Sequence, residues 1–133
     1  MTGRIPILRL RNLLVASLQM GLAQQEAIDV QSRLLQMLDA ADRPDARGIV
    51  IDITALDVID AFQARAIDDL ASMARVLGAE VVITGIRPPV ALTLIDMDLE
   101  LEGAETAVDL DQGIEKIRTL IEEGGSDHEG IRR

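Results

Sequence analysis

The sequence predicts an α/β domain with a mixed β-sheet, in which an N-terminal hairpin precedes parallel inner strands. Two short apolar runs open the chain and are separated by only two residues. Further apolar runs alternate with segments whose apolar residues recur at helical spacing, and strands joined through helices are typically parallel. With 133 residues, 48% of them hydrophobic, the chain is long enough to form one domain with its own core.

The first two apolar runs, residues 5–10 and 13–19, predict the hairpin. Asn12 lies in the two-residue connection between them, where asparagine favours a tight turn. Arginines followed by an apolar stretch also imitate an export signal. However, Ser17 and Gln19 interrupt that stretch at alternating positions, which indicates a strand rather than an export helix.

The middle of the chain predicts two helices and two buried strands. Residues 25–41 carry one apolar stripe, and Pro44 follows as a stop signal. Residues 48–54 form an apolar, β-branched run without alternation, which is typical of a central strand covered on both faces. A second amphipathic helix follows and can end at Gly78, before a strand over residues 79–85. The apolar stripes comprise Ala27, Val30, Leu34, Met37, Leu38 and Ala41 in the first helix, and Ala66, Leu70, Met73, Ala74 and Leu77 in the second.

The last third predicts a short helix, a strand and a terminal helix. Pro88 and Pro89 suit the first turn of a helix over residues 88–97, because proline needs no donor there. Residues 105–110 form the last strand. Asp109 and Gln112 have the spacing of a capping box, and Ile114, Ile117 and Ile121 continue a helical stripe. We expect a folded domain over residues 1–123 and a disordered tail over 124–133, which has almost nothing to bury.

The residue inventory excludes several function classes. The net charge of −10 and the single aromatic residue, Phe62, argue against nucleic acid and anionic membranes as partners. The chain has no cysteine, so thiolate metal sites and disulfides are excluded, which fits a cytoplasmic protein. Lys116 is the only lysine and follows no glycine-rich loop, and the only histidine, His128, lies in the predicted tail. We therefore expect no nitrogen-ligated metal and no serine–histidine triad.

Three acids, Asp52, Asp57 and Asp60, follow the central strand and allow two interpretations. They could hold Mg²⁺ for phosphoryl transfer, since ligands bind at the carboxyl ends of strands in α/β sheets. Alternatively, Asp52 ends the strand, Asp57 forms a turn and Asp60 caps the next helix. The second interpretation is favoured because no lysine is available to stabilise a transferred phosphoryl group.

Residues 84–89, with the sequence TGIRPP, also allow two interpretations. With the help of Arg87, this segment could cradle a phosphate at a helix N-terminus. A glycine turn followed by proline initiation of a helix explains the same residues and is preferred.

Four segments together resemble the STAS family (sulphate transporter and anti-sigma factor antagonist domains). They are IPILRLRNLLVASLQ, GIVIDITALDVIDAFQARAIDDL, LGAEVVITGIRPPVALTLIDM and ETAVDLDQGIEKI, and the likeness covers about residues 4–123. The resemblance implies a single, non-enzymatic binding domain with its helices packed on one side of the sheet and without a cofactor.

The resemblance also implies a function in stress signalling. Scaffold proteins of this family co-assemble with STAS-bearing sensor paralogues into a stressosome, a large homo- and hetero-oligomeric shell. The shell sequesters a serine/threonine switch kinase until stress triggers phosphorylation of the scaffold, and a phosphatase resets the system. Two alternatives stay open: a solitary anti-sigma factor antagonist that binds one anti-sigma kinase, and the magnesium-dependent enzyme described above.

The resemblance places the family's serine phospho-acceptor at Ala61, directly after an Ile-Asp pair. Alanine has no hydroxyl, so either this homologue has lost the switch or Ala61 is a phospho-blocking substitution. Thr93 matches a second acceptor position of the sensor paralogues, although a threonine with a purely structural place on a short helix explains it as well and is preferred. We expect the kinase-binding surface to include Asp57, Asp60, Ala61 and Arg65.

Overall fold

A computed structural model describes residues 6–19, 24–39, 47–101 and 103–131, with side chains described for 6–19, 28–38, 47–101 and 103–123. Its five strands form one sheet in the order β1-β2-β3-β4-β5. The strands are β1 (Ile7–Leu10), β2 (Leu13–Ser17), β3 (Gly48–Asp52), β4 (Glu80–Thr84) and β5 (Ala104–Ala107). The helices are α1 (Gln24–Asp39), α2 (Ala61–Val76), α3 (Pro88–Asp96) and α4 (Leu110–Ile131).

The sheet has the predicted mixed character. β1 pairs antiparallel with β2, and Leu10 lies opposite Leu13, so the hairpin turn has the two predicted residues. Arg11 adopts the left-handed conformation in that turn, with φ of 58°. The pairs β2–β3, β3–β4 and β4–β5 are all parallel, which confirms the predicted inner sheet.

Both faces of the sheet are covered, so the expectation that the helices pack on one side is wrong. One core contains residues of β2, β3 and β4 together with buried residues of α1, α2 and α3. The alternate residues Leu13, Val15, Val50 and Val82 form a second core with Ile117 of α4. Right-handed connections between successive parallel strands put α1, α2 and α3 on one face. Within the described sheet, α4 follows β5 without leading to another strand, so it is not bound to the face of the crossover helices and covers the other one.

The helix starts follow the predicted capping signals. The carboxylate of Asp60 accepts a hydrogen bond from the backbone N–H of Gln63, and the side chain of Gln63 accepts one from the N–H of Asp60. Asp109 accepts from the N–H of Gln112 at the start of α4. This cap shortens the last strand, which ends at Ala107 rather than at the predicted residue 110.

The C-terminal helix differs from the sequence prediction. The backbone of α4 is helical to Ile131, whereas we expected disorder from residue 124. Adding residues to an existing helix gains one hydrogen bond each, so the helix can continue past its packed part. The end of the folded domain at residue 123 stays a prediction.

Some predicted features lie outside the described residues. They are the stop at Pro44, the stripe position Ala41, and the side chains of Ala27 and His128. Within the described part of the chain, no helix has the length and apolar character needed to cross a membrane.

Candidate functional site

The predicted site residues Asp57, Asp60 and Ala61 lie where β3 leads into α2. After β3, the N–H of Leu56 donates to the carbonyl of Ile53, which turns the chain over the carboxyl end of the sheet. Asp60 then caps α2 with a 2.8 Å hydrogen bond from the N–H of Gln63. Ala61 is the first helical residue, and its side chain is exposed. Position 61 is therefore accessible from solvent at the positive end of a helix dipole.

A hydroxyl–carboxylate network underlies this corner. Thr84, at the end of β4, is fully buried, and its hydroxyl donates to Asp52 at 2.6 Å. The hydroxyl of Thr54 donates to the same carboxylate oxygen at 2.9 Å. Asp52 thus ties the end of β3 to the end of β4 and to the first residues of the following loop.

Arg87 connects the corner with the start of α3. Its Nε donates to the carbonyl oxygen of Thr54 at 2.8 Å and lies 3.3 Å from a carboxylate oxygen of Asp57. The preceding Gly85 has φ of +77°, and a side chain there would collide with Thr54. Gly85 therefore has a backbone conformation and a close neighbour that favour glycine, and two residues later Arg87 contacts the loop that carries Asp57.

The geometry does not support the two alternative chemistries of this corner. Asp52 accepts from two threonines, Asp57 pairs with Arg87, and Asp60 caps α2. Among the described residues, no three acidic or histidine side chains come close enough together to hold a metal ion. Pro88 and Pro89 occupy the first turn of α3 and lack N–H groups, so this helix start makes a poor phosphate cradle.

A groove between α1 and α2 begins at position 61. It has a volume of about 310 Å³, and Ile28, Ala61, Phe62, Arg65 and Asp69 contribute to its walls. Ile28 is 47% exposed and Phe62 is 40% exposed. The groove therefore presents apolar surface next to the acidic corner. The sequence prediction of a kinase-binding surface included Ala61 and Arg65 but not Ile28 or Phe62, although Phe62 is the only aromatic residue of the sequence.

Thr93, the possible second acceptor, lies on α3 and is half-buried. Its hydroxyl donates to the carbonyl of Pro89 at 3.2 Å, an arrangement common for threonine inside a helix. Thr54 and Thr84 were not predicted as members of the corner. The Thr84–Asp52 contact spans 32 residues of sequence, so no local pattern identifies it, whereas Thr54 lies only two residues after Asp52.

The fold and the capped corner define a STAS domain. The family model of the STAS domain matches residues 4–110, and the chain belongs to this family. Within the family it resembles the stressosome protein RsbS. A serine-to-glutamate variant of RsbS from Moorella thermoacetica is 36% identical, with a TM-score of 0.77, and the match covers 89% of this chain and 97% of that one.

Two further relatives connect the chain with the stressosome. A chain from a structure of the stressosome, described there as a signal integration and transduction hub, is 36% identical with a TM-score of 0.75. That match covers 86% of this chain and 97% of the other. The Bacillus subtilis RsbT co-antagonist protein RsbRA is 29% identical over 79 residues, which are 59% of this chain. The match spans only 29% of the length of RsbRA.

Proposed function

We propose that this chain is a non-enzymatic stressosome scaffold. It co-assembles with STAS-bearing sensor paralogues and sequesters a serine/threonine switch kinase in the cytoplasm. The observation that carries the proposal is the 36% identity to RsbS, which extends over 89% of this chain. RsbRA carries the name RsbT co-antagonist protein. This name supports a partner of the same family for the chain.

The corner at α2 has the properties of a docking surface for the kinase. Asp57 is 60% exposed, and Asp60 and Ala61 are exposed beside it. The adjoining groove offers Ile28 and Phe62 as apolar contacts. Aromatic side chains at the centre of a contact and charges around it are typical of protein interfaces.

Position 61 is well placed for a phosphorylation switch. A phosphate there adds about −1.5 to −2 charges at pH 7, next to Asp57 and Asp60 and at the mouth of the groove. A kinase docked against this surface then meets a more negative patch and is released. With alanine at position 61, the switch is inactive and a phosphatase has no substrate at this site.

Particle mass tests the scaffold assignment. The chain is purified alone and together with a sensor paralogue that carries a STAS domain, and the mass is measured by sedimentation. A megadalton assembly with the paralogue supports the scaffold. A persistent monomer or dimer in both samples supports a solitary antagonist instead.

Kinase binding tests the corner. Asp60→Asn keeps the helix cap but loses the charge, whereas Asp60→Lys loses both. Asp109→Lys is a matched control, because Asp109 also caps a helix through its side chain but lies at the start of α4. We expect both Asp60 variants to bind the cognate kinase more weakly and the control to bind it normally. Unchanged affinity in a folded Asp60→Lys variant rules this surface out.

A further inference from the structure

Arg65 is the basic side chain among the residues that line the groove between α1 and α2. It is exposed to solvent. Within the part of the chain that the structure describes, its guanidinium makes no hydrogen bond and no ion pair, and Asp69 one helical turn further does not pair with it. All five N–H donors of the Arg65 guanidinium are therefore available to an acceptor that enters the groove.

The other arginine at this corner has a different situation. The Nε of Arg87 donates to the carbonyl oxygen of Thr54 and lies 3.3 Å from a carboxylate oxygen of Asp57. Arg87 is thus used to hold two loops of the chain together. A guanidinium without such a partner, like that of Arg65, can bind an external carboxylate through two parallel hydrogen bonds, which is a strong and directional contact.

Position 61 lies one helical turn before Arg65, and both residues line the same groove. Residues four apart on a helix are neighbours, with about 5–6 Å between their Cβ atoms. An acidic group at the first position and a basic group at the second is the more favourable order for such a pair. A negative group at position 61 would therefore have the Arg65 guanidinium within reach, whereas Ala61 leaves that guanidinium open.

We propose that Arg65 binds an acidic side chain of the switch kinase, and that a negative group at position 61 captures this arginine and so releases the kinase. The proposal rests on the proposed function and specifies the partner's chemistry. The kinase segment in the groove carries an apolar side chain, which packs between Ile28 and Phe62, next to a carboxylate that faces Arg65. Ile28 and Phe62 are 47% and 40% exposed, so both can contact it.

The charges around the groove favour an acidic group at this point of the kinase. Asp57 and Asp60 at the corner, together with Asp69 in the groove wall, attract basic side chains. A partner that carried basic groups alone would place one of them against Arg65, and like charges in contact disfavour binding. The segment that fits is therefore of mixed charge, with its carboxylate opposite Arg65.

Capture of Arg65 and repulsion by the acidic corner are different routes to release. Repulsion adds an unfavourable contact between the kinase and the group at position 61. Capture removes a favourable contact, because the guanidinium turns to its new neighbour on α2. The two routes differ in their dependence on Arg65, which only capture requires.

An NMR titration without kinase tests the capture. Ala61→Glu places a carboxylate at position 61, and a nearby guanidinium should lower the pKa of that carboxyl group. We expect a lower pKa in Ala61→Glu than in the double variant Ala61→Glu/Arg65→Gln. The matched control is Ala61→Glu/Arg118→Gln, since Arg118 is exposed on α4, on the other face of the sheet. The control should titrate like Ala61→Glu. Equal pKa values in all three proteins overturn the capture.

Kinase affinity tests the anchor. Arg65→Gln should raise the dissociation constant for the cognate kinase about tenfold or more, and Arg118→Gln should leave it unchanged. Arg65→Lys keeps the charge but loses the two parallel hydrogen bonds, so it should retain part of the affinity. Both arginines are exposed, and circular dichroism and melting should show native folding. Unchanged affinity in folded Arg65→Gln overturns this inference alone.

A double-mutant cycle joins the two parts. Ala61→Glu should weaken kinase binding by a clearly larger factor in the chain with Arg65 than in the Arg65→Gln background. Equal factors in the two backgrounds would mean release by repulsion only and would overturn the capture. A chain that binds no kinase in any of these forms overturns the proposed function, and with it the anchor.

Discussion

Arg87 and Asp57 form an ion pair, with 3.3 Å between Nε and a carboxylate oxygen, that joins the loops preceding α3 and α2. Arg87 is the residue before the first turn of α3, and Asp57 lies shortly before the cap of α2. The same Nε donates to the carbonyl of Thr54 at 2.8 Å. The two helix starts that flank the carboxyl end of the sheet are thus held together by one side chain.

Arg87→Gln should loosen this corner with little cost in stability. Both partners of the ion pair are more than half exposed, so its loss should reduce the free energy of unfolding by about 1 kcal/mol or less. Amide exchange at residues 54–60 should nevertheless accelerate, because the loop loses its link to α3. Urea unfolding checks the expected change in stability, and amide hydrogen exchange checks the expected loosening of the loop. Unchanged exchange in this loop would show that Arg87 does not hold it.

Thr84→Val should reduce the free energy of unfolding more than Arg87→Gln does. The hydroxyl of Thr84 is buried and donates to a carboxylate. Hydrogen bonds to charged groups are worth about 1.5 to 3 kcal/mol, and we expect a loss near the lower end, since Thr54 still donates to Asp52. Thr106→Val is the matched control, because Thr106 lies exposed on the neighbouring strand. Urea unfolding of the two variants gives the comparison, and equal stabilities would contradict the assigned role of Thr84.

Gly85→Ala should lower the melting temperature clearly more than Gly78→Ala. Both glycines have positive φ, of 77° and 90°, so alanine is strained at either position, by about 1 kcal/mol or more. A side chain at Gly78 meets no atom within 4 Å, whereas one at Gly85 collides with Thr54. The difference between the two melting temperatures therefore measures the close approach that positions Arg87. Similar losses in both variants would show that this approach relaxes easily.

Ala61→Ser should create a phosphorylation site. Serine is tolerated at an exposed helix start, so the change should cost about 0.5 kcal/mol or less. Incubation with the cognate kinase and ATP, followed by mass spectrometry, should find phosphate at residue 61 in the serine form only. The phosphorylated form should bind the kinase about tenfold or more weakly, because charge accumulates beside Asp57 and Asp60.

Two outcomes would change the view of this switch. A serine form without phosphate at residue 61 would contradict the acceptor assignment. Phosphate at Thr93 in the unmodified chain would identify that residue as an acceptor in spite of its hydrogen bond to Pro89.

Features that depend on near neighbours follow from the sequence alone. The turn at Asn12 and the caps at Asp60 and Asp109 all follow from residue types within four positions of one another. The apolar run of β3 likewise predicted a strand covered on both faces, and both cores contain its residues. Local patterns therefore predicted the hairpin, the helix starts and the alternation of strands with helices.

The contacts between residues far apart in the chain depend on the tertiary fold. Asp52 and Thr84 are 32 residues apart, and Thr54 and Arg87 are 33 apart, so no local periodicity signals either contact. The resemblance predicted all helices on one side, but packing placed α4 on the other, because the parallel strands have two apolar faces to bury.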